Sequence, residues 1–412
     1  MPTFYVRPTN GDDTNDGLSF VNAFKTTQQA ILGVTTDTGD EQIFLCNESV
    51  EILTEPSKGV KMLRDAARTN PICIRSADSS GVTAANLGVN AYTIRASGFL
   101  WGMSSGHFVL GMSGGNDGND YSDDYRWYDV VFDANNSADY GYYHNMNAAA
   151  NAHFWNCRFT GAKLQSGAQN AGYNITQYYG CEFDNNNAFG WRLSGGNRGY
   201  SYHTNCSYHD NGSGALGGNG VSMWNCRIYD NTNYGVQGNS RYNNSFYMYT
   251  CVIYNNGSHG YYVDNSSDAS SDNIFTNTVI VNNGGYGIQS NTTEINSGMK
   301  ILGCIVKNNT SGQYNFTAVT YPPPDSLGLQ FTDADVTIPD FDAATGKFNY
   351  SSEAVDAQFP FGGAPGAVSR EDFSTTISGS LTFATGDVGT TVVVSGKSFQ
   401  KISNSPIVWN VI

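Results

Sequence analysis

The stretch that decides the fold reads Cys226-Arg-Ile228-Tyr-Asp230-Asn231 and is followed by Gly235. It combines a small residue, an apolar residue two places on, an Asx-Asn pair and a glycine. Copies of this phrase begin at Cys181, Cys206, Cys226, Cys251, Thr278 and Cys304, and Cys157-Arg-Phe159 precedes them without the Asn pair. From Cys157 onward, successive anchors lie 24, 25, 20, 25, 27 and 26 residues apart. A period in this range, with short alternating runs and no helical pattern, is typical of a solenoid.

Each repeat predicts three short strands: one before the anchor, one directly after it and one after the glycine. In the strand after the anchor, positions 0 and +2 are apolar and should face a narrow interior, so positions +1 and +3 should face outward. The Asn pairs should stack from coil to coil at a bend, where their amides hydrogen-bond along the axis. Counting from Glu41 to Phe331 gives about a dozen coils, and a rod roughly 55–60 Å long at about 4.8 Å per coil.

The composition agrees with a β-rich chain that turns often. Of the 412 residues, 14% are charged and 47 are glycine. Glycine and asparagine tolerate the positive φ that tight turns require. Aromatic residues make up 13% of the chain, which argues against disorder because disordered segments contain few of them.

The sequence divides into three parts. Residues 1–35 predict an N-terminal cap, with a helix over Ala23–Ile31 that begins after Asn22 and stops at Gly33. Residues 36–345 carry the coils. Residues 346–412 predict an irregular segment and a small C-terminal β module, whose alternating pattern over 375–412 ends on an apolar strand and suits attachment or assembly.

Eight cysteines raise the question of disulfides, since adjacent coils bring equivalent residues within bonding distance. Stacked side chains in parallel register point the same way, however, which strains the dihedral angle of a disulfide. We therefore expect a column of reduced, buried thiols that act as small apolar fillers. No Cys/His spacing typical of zinc occurs, and the sequence predicts neither a metal site nor a cofactor.

The N-terminal segment Tyr5-Val-Arg-Pro-Thr-Asn10-Gly-Asp-Asp-Thr-Asn-Asp-Gly17 and the repeated Asn-Cys-x-Ile-x-Asx-Asn resemble those of right-handed parallel β-helix proteins of the pectate-lyase-like superfamily. Such segments occur in many bacteriophage tailspike-like and surface proteins. The resemblance covers about residues 1–345. It implies an all-β, right-handed, single-stranded parallel β-helix with an N-terminal capping helix and a small C-terminal β module. It does not select a chemistry, because this fold hosts lyases, hydrolases, epimerases, adhesins and non-enzymatic virion parts.

One group of polar residues should share the outward face of the strands that follow the anchors. Its members are Arg158, Glu182, Asp184, His209, Arg227 and Tyr229. Glu182 and Asp184 stand two apart on one strand, roughly 6.7 Å between Cα atoms, which lies between the carboxylate spacings of retaining and inverting glycosidases. Glu182, Asp184, His209 and Arg227 are therefore candidate catalytic residues. The alternative is a solvated face whose charges serve solubility.

A second group is aromatic and occupies one repeat position, two residues before the anchor. It consists of Trp155, Tyr179, Trp224 and Tyr249. An inward orientation makes these residues core or corner packing, and an outward one makes them a rail on which sugar rings stack. The alternation of inward and outward side chains along a strand does not decide between these two orientations, because the residue after each aromatic residue suggests a bend. With Tyr229 and Arg158 they are candidate glycan-binding residues.

The net charge of −15 and a pI near 4.6, without a Lys/Arg cluster, exclude duplex nucleic acid as a partner. The sequence contains no run of about 18 apolar residues, so it predicts no membrane span. The start MPTFYVRPTNGDD lacks the pattern of a secretory signal. We therefore expect a protein that is made in the host cytoplasm, is built into a virion and becomes extracellular on release.

The expected function is that of a virion surface structural protein, tailspike-like or capsid-decorating, that binds host surface glycans. Its expected partners are other virion proteins or copies of itself, a homotrimer included, joined through 375–412. The alternative is a polysaccharide lyase or glycoside hydrolase acting on the outward face. A bacterial adhesin is a third class, which the missing leader disfavours.

Overall fold

The computed structural model describes most of the repeat region and a few short strands beyond it. The described residues are 3–34, 41–54, 59–62, 70–78, 91–97, 107–112, 124–144, 151–170, 175–193, 200–217, 220–238, 246–263, 273–276, 278–290, 300–302, 304–316, 330–331, 340–342, 347–349, 391–394, 397–404 and 407–411. Residues 350–390, which include the start of the predicted assembly segment, lie outside the described residues.

Three parallel sheets contain nearly all described strands. Sheet A is formed by β1 (Thr3–Val6), β2 (Glu41–Asn47), β5 (Ile72–Asp78), β8 (Asp124–Tyr128), β11 (Asn151–Trp155), β14 (Ile175–Tyr179), β17 (Tyr200–Thr204), β20 (Val221–Trp224), β23 (Phe246–Tyr249), β26 (Asn273–Thr276) and β29 (Lys300–Leu302). Sheet B is formed by β3 (Glu51–Leu53), β6 (Tyr92–Ala96), β9 (Val130–Asp133), β12 (Arg158–Thr160), β15 (Glu182–Asp184), β18 (Ser207–His209), β21 (Arg227–Tyr229), β24 (Val252–Tyr254), β27 (Val279–Val281), β30 (Cys304–Lys307) and β32 (Gln330–Phe331). Sheet C is formed by β4 (Val60–Met62), β7 (Phe108–Met112), β10 (Tyr140–His144), β13 (Ser166–Asn170), β16 (Phe189–Leu193), β19 (Ser213–Gly217), β22 (Val236–Gly238), β25 (Tyr261–Val263), β28 (Tyr286–Ser290) and β31 (Gly312–Phe316).

The remaining elements lie at the two ends of the sequence. They are α1 (Thr27–Gly33), the antiparallel pair β33 (Asp340–Asp342) and β34 (Lys347–Asn349), and the antiparallel sheet of β35 (Thr391–Val394), β36 (Lys397–Asn404) and β37 (Ile407–Val411). In the segment 375–412 the described residues 391–394, 397–404 and 407–411 are strands, while the C-terminal β module and its role in assembly stay predictions.

Each regular coil contributes one strand to each sheet, and equivalent strands of successive coils pair in parallel. The predicted inward positions are confirmed on sheet B, where Phe159, Phe183 and Tyr208 are fully buried and in register. Their rings stack along the axis at 5.0 Å and 4.7 Å between centroids. The core is therefore a continuous column rather than a set of separate clusters.

The Asx-Asn pair forms the bend between sheets B and C, and its two residues do different things. The first residue has a positive φ, for example 51° at Asp230 and 54° at Asn255, which Asx residues adopt more easily than other non-glycine residues. The second residue is buried and turns inward. Its amide Nδ2 donates to Oδ1 of the equivalent residue one coil further on, at 2.9 Å for Asn231 and Asn256.

This asparagine ladder runs through six coils without a break. It consists of Asn186, Asn211, Asn231, Asn256, Asn283 and Asn309. The glycine that follows each pair is explained by the close approach of the next coil. A Cβ on Gly214 would collide with the carbonyl oxygen of Gly235, and one on Gly235 would collide with that of Gly260.

The anchor cysteines form the corner between sheets A and B. All eight cysteines of the chain are buried free thiols, as predicted. Cys226 Sγ donates to the carbonyl oxygens of Trp224 at 3.4 Å and of His203 in the preceding coil at 3.6 Å. Thr278 makes the same two contacts through its hydroxyl, to Thr276 and Met248, at 3.2 Å and 3.4 Å. A small side chain that can donate a hydrogen bond therefore fits this corner.

The N-terminal helix is shorter than predicted. It begins at Thr27, and Thr26 rather than Asn22 is its N-cap, accepting a hydrogen bond from the backbone N–H of Gln29 at 3.2 Å. The prediction was wrong because Phe24 is extended and forms a parallel bridge with Val6. Ala30 and Ile31 of the helix are buried in the same core as the first coils. Within the described ranges, no helix is long and apolar enough to cross a membrane.

Candidate functional site

The aromatic residues two places before the anchors lie on the outer face of sheet A. In strand register they form one line, which we call the aromatic column: Tyr128, Trp155, Tyr179, Thr204, Trp224 and Tyr249. All are partly exposed, whereas their neighbours Phe154 and Tyr178 are fully buried. Of the two orientations that the sequence left open, the structure therefore has the outward one.

The rings of the column are stacked on one another. Tyr128 and Trp155 lie 4.7 Å apart with planes 14° from parallel, Trp155 and Tyr179 lie 5.4 Å apart at 11°, and Trp224 and Tyr249 lie 5.6 Å apart at 9°. The guanidinium of Arg75 covers the other face of Tyr128 at 4.0 Å. Because most ring faces are occupied by neighbouring rings, the column presents ring edges to solvent and holds them in a fixed line.

The polar residues that follow the anchors lie beside the column, around the tight corner, on the outer face of sheet B. Register pairs Arg158 with Glu182 and Asp184 with His209, and places Arg227 and Tyr229 on the next strand. We call Arg158, Glu182, Asp184, His209 and Asp210 the ionic cluster. The repeat alone predicts that Arg158, Glu182, Asp184 and His209 lie close together, but it does not predict that Asp210 joins them.

The sequence predicts an exposed carboxylate at Asp184, and this prediction is wrong. Its side chain is 1% exposed, because the guanidinium of Arg158 reaches diagonally across the strands and covers it. Arg158 Nε donates to Oδ1 at 2.8 Å and Arg158 Nη2 donates to Oδ2 at 2.5 Å, while the amide of Asn185 donates to the same Oδ2. Both carboxylate oxygens are therefore occupied by fixed donors, and Asp184 has no open side from which to reach a substrate.

His209 is held between two carboxylates. Its Nε2 lies 2.9 Å from Glu182 Oε1 and its Nδ1 lies 2.8 Å from Asp210 Oδ2. Burial by itself lowers the pKa of His209, but the hydrogen bonds to Glu182 and Asp210 outweigh burial, so the pKa is raised above its usual value. The imidazolium form is favoured, and in that form both ring nitrogens donate to the carboxylates. Such a histidine is poorly suited to act as a general base.

Tyr229 continues this face as an aromatic stack. Its ring lies 4.8 Å from His209 and 5.0 Å from Tyr254 of the next coil. Arg227 lies between Ser207 and Val252 in register. The members of the ionic cluster therefore pair with one another. Among the described residues, no group of three or more His, Cys, Asp or Glu side chains is placed to hold a metal ion.

A family model described as "Right handed beta helix region" matches residues 141–267 and 218–321, which contain the ionic cluster and all of the aromatic column except Tyr128. The fold is a right-handed parallel β-helix. No curated protein matches this sequence.

Several solved β-helix structures are similar to the chain. Pectate lyase Pel9A shares 18% identity, with a TM-score of 0.45, over 83% of this chain and 82% of its own. ORF18 of Geobacillus virus E2 shares 13% identity, with a TM-score of 0.44, over 74% of this chain and 56% of its own. The A-module of mannuronan C-5 epimerase AlgE4 from Azotobacter vinelandii shares 14% identity, with a TM-score of 0.37, over 77% of this chain and 98% of its own.

Sequence reasoning missed three members of these β-helix surfaces. Tyr128 belongs to the aromatic column and stands two residues before Val130, the position equivalent to an anchor, so extending the repeat upstream would have found it. Asp210 was assigned to the turn, yet its carboxylate binds His209. Thr204 interrupts the column, which becomes visible only when the register of sheet A is known.

Proposed function

We propose that this chain is a structural β-helix of a virion surface and that it binds polysaccharide along the aromatic column. The observation that carries the proposal is the line of outward, partly exposed rings on sheet A, held at 4.7–5.6 Å spacing over adjacent coils. Ring edges, indole N–H groups and tyrosine hydroxyls combine apolar area with hydrogen-bonding groups, which is what a sugar surface also offers. The net charge of −15 favours uncharged glycans over acidic ones.

The glycan-binding part is tested with the full chain and surface-immobilised neutral bacterial polysaccharides. Trp155→Ala and Trp224→Ala each remove one ring of the column and should weaken binding at least tenfold. Tyr262→Ala is the matched control, because Tyr262 is a partly exposed aromatic residue on the outer face of sheet C. Equal binding by the native protein and both tryptophan variants would refute the role of the column.

The proposed role in a virion is tested by asking whether the protein is found in purified virus particles. Mass spectrometry of purified particles from an infected culture should find this chain at a fixed ratio to the other particle proteins, and the soluble fraction should be depleted of it. We further propose that 375–412 joins copies into a homotrimer or joins the chain to other virion proteins. Sedimentation should then give an oligomer for the full chain and a monomer after removal of these residues.

The alternative is a polysaccharide lyase or glycoside hydrolase that works on the ionic cluster, with Arg227 and Tyr229 as further contacts. The occupied carboxylate of Asp184 and the doubly bound His209 argue against it. An assay for new reducing ends and unsaturated products separates the two proposals. Product formation that is lost in Glu182→Gln would establish the enzyme, and no product with bound polysaccharide supports the structural role.

A further inference from the structure

Three members of the asparagine ladder are each followed by glycine, in the pairs Asn211-Gly212, Asn256-Gly257 and Asn283-Gly284. Asn-Gly is the dipeptide most open to spontaneous deamidation, because glycine has no Cβ to keep its backbone nitrogen away from the preceding side chain. That nitrogen attacks the side-chain carbonyl carbon, a succinimide ring closes, and ammonia leaves with the proton of the glycine N–H. Water then opens the ring to aspartate or isoaspartate.

In the folded chain, hydrogen bonds to both neighbouring coils hold the groups that would react. The attacking nitrogen of Gly212 donates to Asn186 O in the preceding coil at 2.9 Å. The amide that would leave, Nδ2 of Asn211, donates to Phe183 O at 2.9 Å and to Asn231 Oδ1 at 3.0 Å. Ring closure has to break these bonds, so it requires local opening of the coils.

The other two pairs have the same arrangement. Their glycine nitrogens each donate to a backbone carbonyl of the preceding coil at 2.8 Å. Their side-chain amides donate to the next asparagine of the ladder, at 2.9 Å from Asn256 and at 2.8 Å from Asn283. All three asparagines are at most 1% exposed, so the closed coils also keep away the water that the second step consumes.

Deamidation would break the ladder at the residue where it occurs. Asn211 Oδ1 accepts from Asn186 N at 3.1 Å and from Asn186 Nδ2 at 2.9 Å, and a carboxylate oxygen could still do so. The second oxygen would take the place of Nδ2 and face Phe183 O and Asn231 Oδ1, which are both acceptors. Such a carboxylate is a buried charge beside carbonyl oxygens, which is strongly unfavourable. Isoaspartate also adds a carbon atom to the backbone and shifts the pairing of the coil.

We propose that Asn211, Asn256 and Asn283 are latent deamidation sites. The closed coils protect them, whereas a chain that remains unfolded is converted there to aspartate or isoaspartate and loses the ability to close the ladder. The time available for folding, and for refolding after these coils have opened, is therefore limited by a chemical reaction of the chain itself.

Peptide mapping by mass spectrometry compares the native protein with the protein in guanidinium chloride, both aged in the same mildly alkaline buffer with a reductant that keeps the thiols free. Matched controls lie in the same ladder, since Asn231 and Asn309 are followed by threonine. In denaturant, the sites before glycine should gain aspartate and isoaspartate at least about tenfold faster than the sites before threonine. In the native protein, all of these asparagines should stay intact over the same period.

Dilution of the aged, denatured protein into folding buffer at intervals measures the consequence. The refolded fraction should fall as the modified fraction rises, and the molecules that refold should be unmodified at all three sites. Asn211→Asp, which installs the product directly, should lose most of its refolding yield, whereas Asn233→Asp, at an exposed residue of the next turn, should refold like the native protein. Equal modification of native and denatured protein would refute the protection by the coils. Native refolding yield of modified chains or of Asn211→Asp would refute the limit on refolding.

Discussion

Replacing Asn231 by alanine tests whether the asparagine ladder, rather than the apolar core alone, holds adjacent coils together. Its Nδ2 donates to Tyr208 O at 3.1 Å, to Tyr229 O at 3.0 Å and to Asn256 Oδ1 at 2.9 Å. Its Oδ1 accepts from Asn211 N at 3.1 Å and from Asn211 Nδ2 at 3.0 Å. The residue is 1% exposed, so water does not replace these partners without local opening.

The magnitude follows from the count of independent bonds. An amide has two hydrogens, so the three donor contacts amount to two bonds, and the oxygen accepts two more. At about 1 kcal/mol net for each hydrogen bond, the loss is about 4 kcal/mol. That is well above the typical cost of about 1 kcal/mol for a point substitution. The same substitution at Asn233, an exposed residue of the same turn, should change stability by less than about 0.5 kcal/mol.

Two measurements check this expectation. Equilibrium unfolding in urea gives the difference in free energy between Asn231→Ala and Asn233→Ala. Hydrogen exchange then shows where the loss is felt, because in a solenoid each coil contacts only its neighbours. Exchange should accelerate at the backbone amides of Asn211 and Asn231 and stay unchanged several coils away. A free-energy difference below about 1 kcal/mol, or uniform acceleration along the chain, would refute the reasoning.

Three further predictions concern the ionic cluster and the thiols. The pKa of His209 is raised in the folded protein, so its bonds to the two carboxylates stabilise the fold fully below 6.5, the pKa of an unfolded histidine. This stabilisation is lost as the pH rises through the pKa of the folded protein. The difference in melting temperature between the native protein and His209→Gln should therefore shrink between about pH 5.5 and about pH 8. Arg158→Ala strands the buried Asp184 and should cost about 2–3 kcal/mol in urea unfolding, whereas Arg158→Ala combined with Asp184→Ala should cost less because no unpaired charge remains. All eight cysteines are buried free thiols, and burial raises the pKa of Cys157 to about 12. A thiol reagent at about pH 8 should therefore label none of the eight in the native protein, because it cannot reach them, and all eight in denaturant.

The fold could be predicted from the sequence because its determinants are local and repeated. The alternation of side chains along a strand predicts that Cys206 and Tyr208 face inward, and the repeat period predicts which residues of the neighbouring coils stack on them. The separate roles within the Asx-Asn pair were not predicted, since they follow from the positive φ of the first residue, which turns only the second one inward.

The candidate site was predicted less completely, because its state depends on contacts between coils. Alternation gives the direction of Asp184, but only the neighbouring coil determines that Arg158 covers it. The orientation of Trp155 could not be derived from parity, because the next residue, Asn156, has a φ of 51° and breaks the alternation at the corner. The helix start was misplaced for a similar reason, since Phe24 is fixed by pairing with β1.

The asparagine ladder also gives the rod a polarity of its own. Every asparagine-to-asparagine bond of the ladder runs from Nδ2 of one coil to Oδ1 of the next coil toward the C-terminus, so the row of amides has an acceptor at one end and a donor at the other. The first oxygen, on Asn186, accepts from the backbone N–H of Ala162 at 2.9 Å, and the last amide, on Asn309, donates to Gln313 Oε1 at 3.0 Å. An additional coil that carries the Asx-Asn pair fits between any two asparagines of the ladder, because its own asparagine accepts a hydrogen bond from the preceding coil and donates one to the next coil. At the last member, the side-chain oxygen of Gln313 takes the place that the next asparagine occupies in the preceding coils.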